Sequence, residues 1–167
     1  MRCVPRNASR EDRVVADHSY QFRSVWRPGA PVVDVYKALA QLADYPMWWP
    51  EVREVQPLGP DEYELRCRSF LPYDLVFTTH QTRRDPEARV LEAALTGDLE
   101  GFSRWTIQES PDGVRATFEE EVLANKELLR RLDPLARPAF RANHSLMMRH
   151  GESGLRTFLA GYRARYD

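Results

Sequence analysis

Several things are scarce in this chain. Two cysteines, Cys3 and Cys67, are too few for a disulfide framework and show no metal-ligand spacing, so a reducing, cytoplasmic setting is the expectation. Excess charge is missing as well. The 24 basic and 25 acidic side chains leave a net charge of −1, which gives no general attraction to nucleic acid or an anionic membrane. No apolar run approaches the ~20 residues of a membrane helix, so no integral membrane segment is expected. The first eighteen residues lack the hydrophobic stretch of a secretory signal. They carry Arg2, Arg6, Arg10, Glu11, Asp12, Arg13 and Asp17, and read as a mobile leader over 1–18 ahead of a single domain over 19–167. There is no Gly-x-Ser-x-Gly elbow, no His-Glu-x-x-His helix, no phosphate loop and no dinucleotide fingerprint. His18, His80, His144 and His150 lack ligand spacing, so neither metal nor cofactor is expected.

What is present is a periodic pattern. Tyr20, Phe22, Ser24 and Trp26 alternate with Gln21, Arg23, Val25 and Arg27, as on a half-buried strand. Pro28-Gly29 ends it. Pro31 suits the first position of a helix, whose buried stripe is Val32, Val35, Tyr36, Leu39 and Leu42. Pro46-Met47-Trp48-Trp49-Pro50 leaves room for little more than one helical turn. The period then changes from 3.6 to 2. Strands are expected over Val52–Leu58, Glu62–Ser69, Tyr73–Arg84, Arg89–Thr96, Phe102–Glu109 and Val114–Leu123. Gly97–Gly101 reads as a loop with a solvated acidic tip at Asp98-Leu99-Glu100. The breaks fall roughly every ten to sixteen residues, too close for helical crossovers, so the sheet should be antiparallel. Asn125 can cap a short turn over Lys126–Leu132.

From Pro138 the chain reads as one long helix. Phe140, Met147, Met148, Leu155, Phe158 and Tyr162 form its apolar stripe, with Arg141, Ser145, Arg149, Glu152, Arg156 and Arg163 opposite. His144 and Gly151 interrupt the stripe. Glycine inside a helix costs about 1 kcal/mol relative to alanine, and Gly154 repeats the cost one turn on. Either the backbone must approach a neighbour closely there, or space is being kept for a guest.

This order resembles the START-like (SRPBCC) superfamily, in its polyketide cyclase/dehydrase and lipid-transport branch. The likeness is carried by Ala30-Pro31-Val32, Val35-Tyr36, Leu42 through Val52, and by His144, Met147-Met148, Gly151-Glu152 and Gly154-Leu155. It implies an α+β helix-grip fold. A curved antiparallel sheet of about seven strands wraps a long C-terminal helix, with two short helices after the first strand. It also implies an apolar ligand held between sheet and helix. A carrier of a lipid, polyketide-like or other hydrophobic small molecule is one expectation; a chaperone-like or respiratory-quinone carrier role is a separate reading. A polyketide aromatase/cyclase or dehydratase, needing no metal or nucleotide, is the other expectation. A homodimer is compatible with the pattern.

The expected cavity wall is Trp48, Trp49, Tyr63, Cys67, Tyr73, Phe77, Trp105, Phe118, Phe140, His144, Met147, Met148, Gly151 and Leu155. If the cavity is catalytic, His144, Glu120, Arg104 and Tyr63 are the first suspects. His144 is either a core histidine with one hydrogen bond or a donor and acid–base group toward a ligand carbonyl. Asn143, at the edge of the stripe, could serve either way. Trp48 and Trp49 are a plug or a gate, with at most one pointing inward. If Val114, Ala116, Phe118 and Val122 face inward, alternation takes Glu120 with them, where a carboxylate needs a partner; the alternative is that a bulge or edge position leaves it solvated. Arg104 is a candidate partner, unless Trp105 and Ile107 form the inward set on its strand.

Overall fold

The computed structural model describes residues 19–125 and 136–163. The leader over 1–18 and the turn over Lys126–Leu132 lie outside them. Strand β1 (Ser19–Trp26) is followed by helix α1 (Val32–Ala40), a 3-10 turn (Leu42–Asp44) and helix α2 (Tyr45–Trp48). Strands β2 (Val52–Gly59), β3 (Glu62–Cys67), β4 (Leu75–Asp85), β5 (Val90–Gly97), β6 (Leu99–Ser110) and β7 (Gly113–Ala124) come next. Helix α3 (Ala136–Arg163) ends the described chain.

The seven strands form one sheet in the order β1-β7-β6-β5-β4-β3-β2. All its pairings are antiparallel. β1 closes on β7 with Trp26 opposite Ala116 and Phe22 opposite Glu120. This is the helix-grip arrangement: the curved sheet holds α3 along its concave face, and α1 and α2 cover one end. Each strand places one residue in two on that face. Tyr20 and Trp26 of β1, Leu65 and Cys67 of β3, Trp105 and Ile107 of β6, and Phe118 and Val122 of β7 are all buried. Among the described residues no helix is long and apolar enough to cross a membrane.

α2 is short because Pro46 stands in its first turn and Trp49 has already left helical geometry. Its packing comes from rings. Trp26 meets Trp48, Trp49 and Trp105 at centroid distances of 6.4, 5.2 and 4.7 Å, within the range where aromatic pairs add to simple burial. The Tyr45 hydroxyl donates to the Leu39 carbonyl at 2.8 Å and ties α2 to α1.

Two expectations need correction here. The Gly97–Gly101 segment is no solvated loop: β5 runs to Gly97, β6 starts at Leu99, and Leu99 is buried. The first carboxylate of the acidic tip is consumed internally, while Glu100 stays exposed. Asp98 Oδ2 accepts the Val76 N–H at 2.9 Å, the Asp98 N–H donates to the Val76 carbonyl, and the Asp98 carbonyl accepts the Asn125 N–H. Tyr162 does not complete the buried stripe of α3, for it is 52% exposed, whereas Leu159 is buried. Ala160, Gly161 and Tyr162 are all exposed, so the last turn has run past the sheet.

Candidate functional site

A cavity of about 180 Å³ lies between the concave face and the N-terminal half of α3. That is just above the ~150 Å³ at which an apolar protein cavity takes up benzene. Leu65, Leu75, Phe77, Leu91, Leu95, Trp105 and Phe118 supply the sheet wall, and Phe140, Met147 and Met148 the helix wall. Leu39, Tyr45 and Trp49 close one side. The lining residues exposed to solvent are Gln41, Pro60, Asp61 and Arg84, which mark the mouth.

The void exists where α3 carries thin or polar groups. Asn143 is 3% exposed; its Nδ2–H donates to the Met147 sulfur at 3.4 Å, and its Oδ1 has no hydrogen-bond partner. A thioether accepts and cannot donate, so this amide orientation follows from the contact. One helical position on, His144 stacks on Phe22 with centroids 3.8 Å apart and planes 12° from parallel. Its Nε2 lies 3.3 Å from Glu120 Oε2, the two side chains being 15% and 10% exposed. The carboxylate that alternation sends inward therefore finds its partner on the helix. An imidazole held by a carboxylate can pass a proton to or from a ligand oxygen.

Arg104 is not that partner. It leaves by the outer face, with Nη2 2.6 Å from Glu92 and Nη1 4.0 Å from Glu119, because Trp105 and Ile107 are the inward residues of β6. Of the expected wall, Trp49, Tyr63, Cys67, Phe77, Trp105, Phe118, Phe140, His144, Met147 and Met148 lie around the cavity. Trp48, Tyr73, Gly151 and Leu155 do not. Trp48 and Leu155 are core, and the Tyr73 hydroxyl is buried without a hydrogen-bond partner.

Gly151 has the opposite role from a gap. A Cβ there would lie 2.6 Å from the Trp49 ring and 2.8 Å from the Trp26 ring. At Gly154 it would overlap the Trp48 carbonyl oxygen. Both glycines let α3 close directly on α2 and β1, and the Trp49 indole N–H reaches the Met147 carbonyl at 2.9 Å across that contact. The Cys67 thiol is a wall group without nucleophilic use: burial pushes it up to about 12, with the carboxylates of Glu120, Glu51 and Asp74 adding to the shift. Burial also raises the Tyr45 hydroxyl. Sequence periodicity missed Thr79, Gln81, Ser103 and Arg84 on the wall. It also missed the contact between Glu51 and His150 on the far side of α2. Among the described residues no cluster of histidine, cysteine and carboxylates could hold a metal.

Residues 28–143 match the family described as polyketide cyclase / dehydrase and lipid transport. None of the curated proteins matches the chain. Among solved structures, the Zhui aromatase/cyclase from Streptomyces sp. R1128 is similar at TM-score 0.69 and 13% identity, over 86% of this chain and 94% of its own. A START superfamily protein from Mycobacterium smegmatis is similar at TM-score 0.65 and 15% identity, over 87% and 99%. The di-domain ARO/CYC StfQ from the steffimycin biosynthetic pathway gives TM-score 0.69 and 15% identity, over 92% of this chain and 55% of its own. This chain therefore spans about half of that protein. At such identities the likeness is one of fold.

Proposed function

We propose, for a chain that belongs to the polyketide cyclase / dehydrase and lipid transport family, that it binds a small hydrophobic molecule between the sheet and α3. The observation that carries this reading is the largely apolar cavity of about 180 Å³, with a mouth at Gln41, Asp61 and Arg84. Apolar surface moved from water into such a space gains roughly 25 cal/mol per Å². The volume suits one or two fused rings or a short chain, and a long poly-β-ketone does not fit it without movement of the walls. Organic extraction of the purified protein followed by mass spectrometry should release a small apolar compound. The stripped protein should take up 2-naphthol with a change in tryptophan emission, since Trp49 and Trp105 line the cavity. A stripped protein that takes up neither 2-naphthol nor octan-1-ol refutes the reading.

A second reading is favoured by one observation, the Glu120–His144 pair on the cavity wall. It makes the protein an aromatase/cyclase or dehydratase acting in the same space, where ring closure requires proton removal between carbonyls and a donor to the oxygen that gains charge. The test is incubation with a reactive poly-β-ketone. The catalytic reading expects His144→Ala to change the product ratios, and unchanged ratios remove His144 from any mechanism.

A further inference from the structure

The register of β4 against β5 slips once. Gln81 stands opposite Ala93 and Arg83 opposite Glu92, which leaves Thr82 as an extra residue. Up to that bulge the odd-numbered residues Leu75, Phe77, Thr79 and Gln81 face the cavity. Without it, alternation would send Arg83 inward and Arg84 to the outer face. The extra residue inverts the pattern, so Arg84, opposite the buried Leu91, turns to the cavity mouth. Bulges of this kind re-aim side chains and concentrate beside functional sites.

We propose that Arg84 selects ligands that carry an anionic group on an apolar body, holding the anion at the mouth while the body fills the interior. This deepens the reading of the cavity as a site for apolar molecules and rests on it. Three observations support it. Among the described residues Arg84 is the sole lysine or arginine of the cavity lining. Its neighbours on the outer face are spoken for, Arg83 by Asp85 at 2.7 Å and Arg104 by Glu92 at 2.6 Å. Arg84 forms no ion pair among the described residues; its neighbour is the Tyr36 hydroxyl on α1, a neutral group that its charge and hydrogen bond draw down against the rise caused by burial. The charges along the cavity are also ordered. Glu120 lies inside beside His144, Glu92 of the lining is held by Arg104 at 2.6 Å, and Arg84 lies at the mouth, so a carboxylate is disfavoured at the inner end and favoured beside Arg84. A guanidinium fork can take both oxygens of a carboxylate there. Asp61 shares the mouth and opposes the effect in part.

Calorimetric titration with octanoate and with octan-1-ol tests this, because the two share a chain and differ in the head. Octanoate should bind at least tenfold more tightly than octanol at low salt, with the preference shrinking as salt rises. Arg84→Gln should abolish the preference, read as the ratio of octanoate to octanol affinity in the same folded variant. Asp61→Asn should enlarge it. Octanol binding with no preference for octanoate, or a preference that survives Arg84→Gln, overturns the proposal alone. Failure of both compounds to bind overturns the cavity reading, and this one with it.

Discussion

Substituting Gly154 by alanine sets two effects in opposition. Helix propensity favours alanine by about 1 kcal/mol. Sterics oppose it, because the new Cβ would overlap the Trp48 carbonyl oxygen and fall 2.8 Å from the Trp48 carbonyl carbon. These are backbone atoms, so no rotamer change relieves the overlap. α3 must move away from α2 by more than 1 Å, roughly the shortfall from ordinary contact. That movement loosens the packing of Trp48 and Trp49 and breaks the fit of Trp26 against Gly151. Overpacking in cores typically costs 1–3 kcal/mol and occasionally more, and a backbone overlap belongs at the upper end. The net expectation is a loss of about 2 kcal/mol. For a chain of this size that lowers the melting temperature by about 4–8 °C.

Gly161 is the internal control. It sits in the same helix, and a Cβ there meets nothing within 4 Å. Gly161→Ala should therefore stabilise by up to about 1 kcal/mol. Urea unfolding of both variants, followed by far-ultraviolet circular dichroism, separates the terms. The reasoning is refuted if Gly154→Ala raises the urea midpoint as Gly161→Ala does, because propensity would then dominate at both positions.

Four further outcomes are expected. The Cys67 thiol rises from 9.0 to about 12 through burial, so in a Cys3→Ser background the native protein should not react with iodoacetamide at pH 8, whereas the unfolded chain should take one equivalent; native labelling would contradict the burial. The same shift gives a pH dependence. The unfolded thiol loses its proton near 9 while the folded one holds it to about 12, so stability is complete below pH 9 and falls as pH rises toward 12, and Tyr73, raised by burial to about 12, adds to the fall; a flat urea midpoint from pH 8 to 11 would count against it. Asp98→Ala should cost about 1–2 kcal/mol by leaving the Val76 N–H without its acceptor, and a neutral result would mean that water replaces the carboxylate. A His144→Ala/Glu120→Gln double-mutant cycle should show a coupling above about 0.5 kcal/mol, and additivity would mean that the 3.3 Å contact carries no energy.

The strand order was legible because turn residues punctuate it. Gly59-Pro60-Asp61, Asp85-Pro86 and Ser110-Pro111-Asp112-Gly113 each fall at or beside the end of an observed strand. Glu120 was legible only in part: alternation offers it to the interior, and the unbroken pairing of β7 with β6 from Val114 to Val122, which the sequence leaves open, decides against a bulge. Arg84 was not legible. Its orientation depends on Thr82 being extra, and nothing in Gln81-Thr82-Arg83-Arg84 marks a bulge, which is fixed by pairing with β5. The Gly97–Gly101 reading failed through a long-range effect. Glycines and an aspartate are turn formers locally, yet Asp98 is held by Val76 on β4 and by Asn125 beyond β7. Tyr162 fits the helical stripe by angle but lies beyond the layer that covers Leu159, and a period carries no information about where a neighbour ends.

The two interruptions of the α3 stripe looked like one phenomenon in the sequence, and in the structure they are opposites. At Gly151 and Gly154 the missing side chains are replaced by tryptophan rings and a carbonyl, so the helix has no freedom to move inward there. Around Asn143 and His144 the helix carries polar groups that reach Met147 and Glu120 and leave the centre empty. The first contact is expected to sustain the second. With its C-terminal half fixed against α2 and β1, a rigid helix of 28 residues cannot tilt its N-terminal half onto the sheet to close the void. A cavity held open in this way survives without a ligand, at the cost of the dispersion contacts its walls lack. It follows that Gly154→Ala, by freeing the grip, should alter ligand affinity even though Gly154 lies outside the cavity lining. Octanol titration of that variant, at a temperature well below its melting point, should show weaker binding than the parent. Equal affinity would mean that the sheet's own curvature holds the void open and the glycine contact only adds stability.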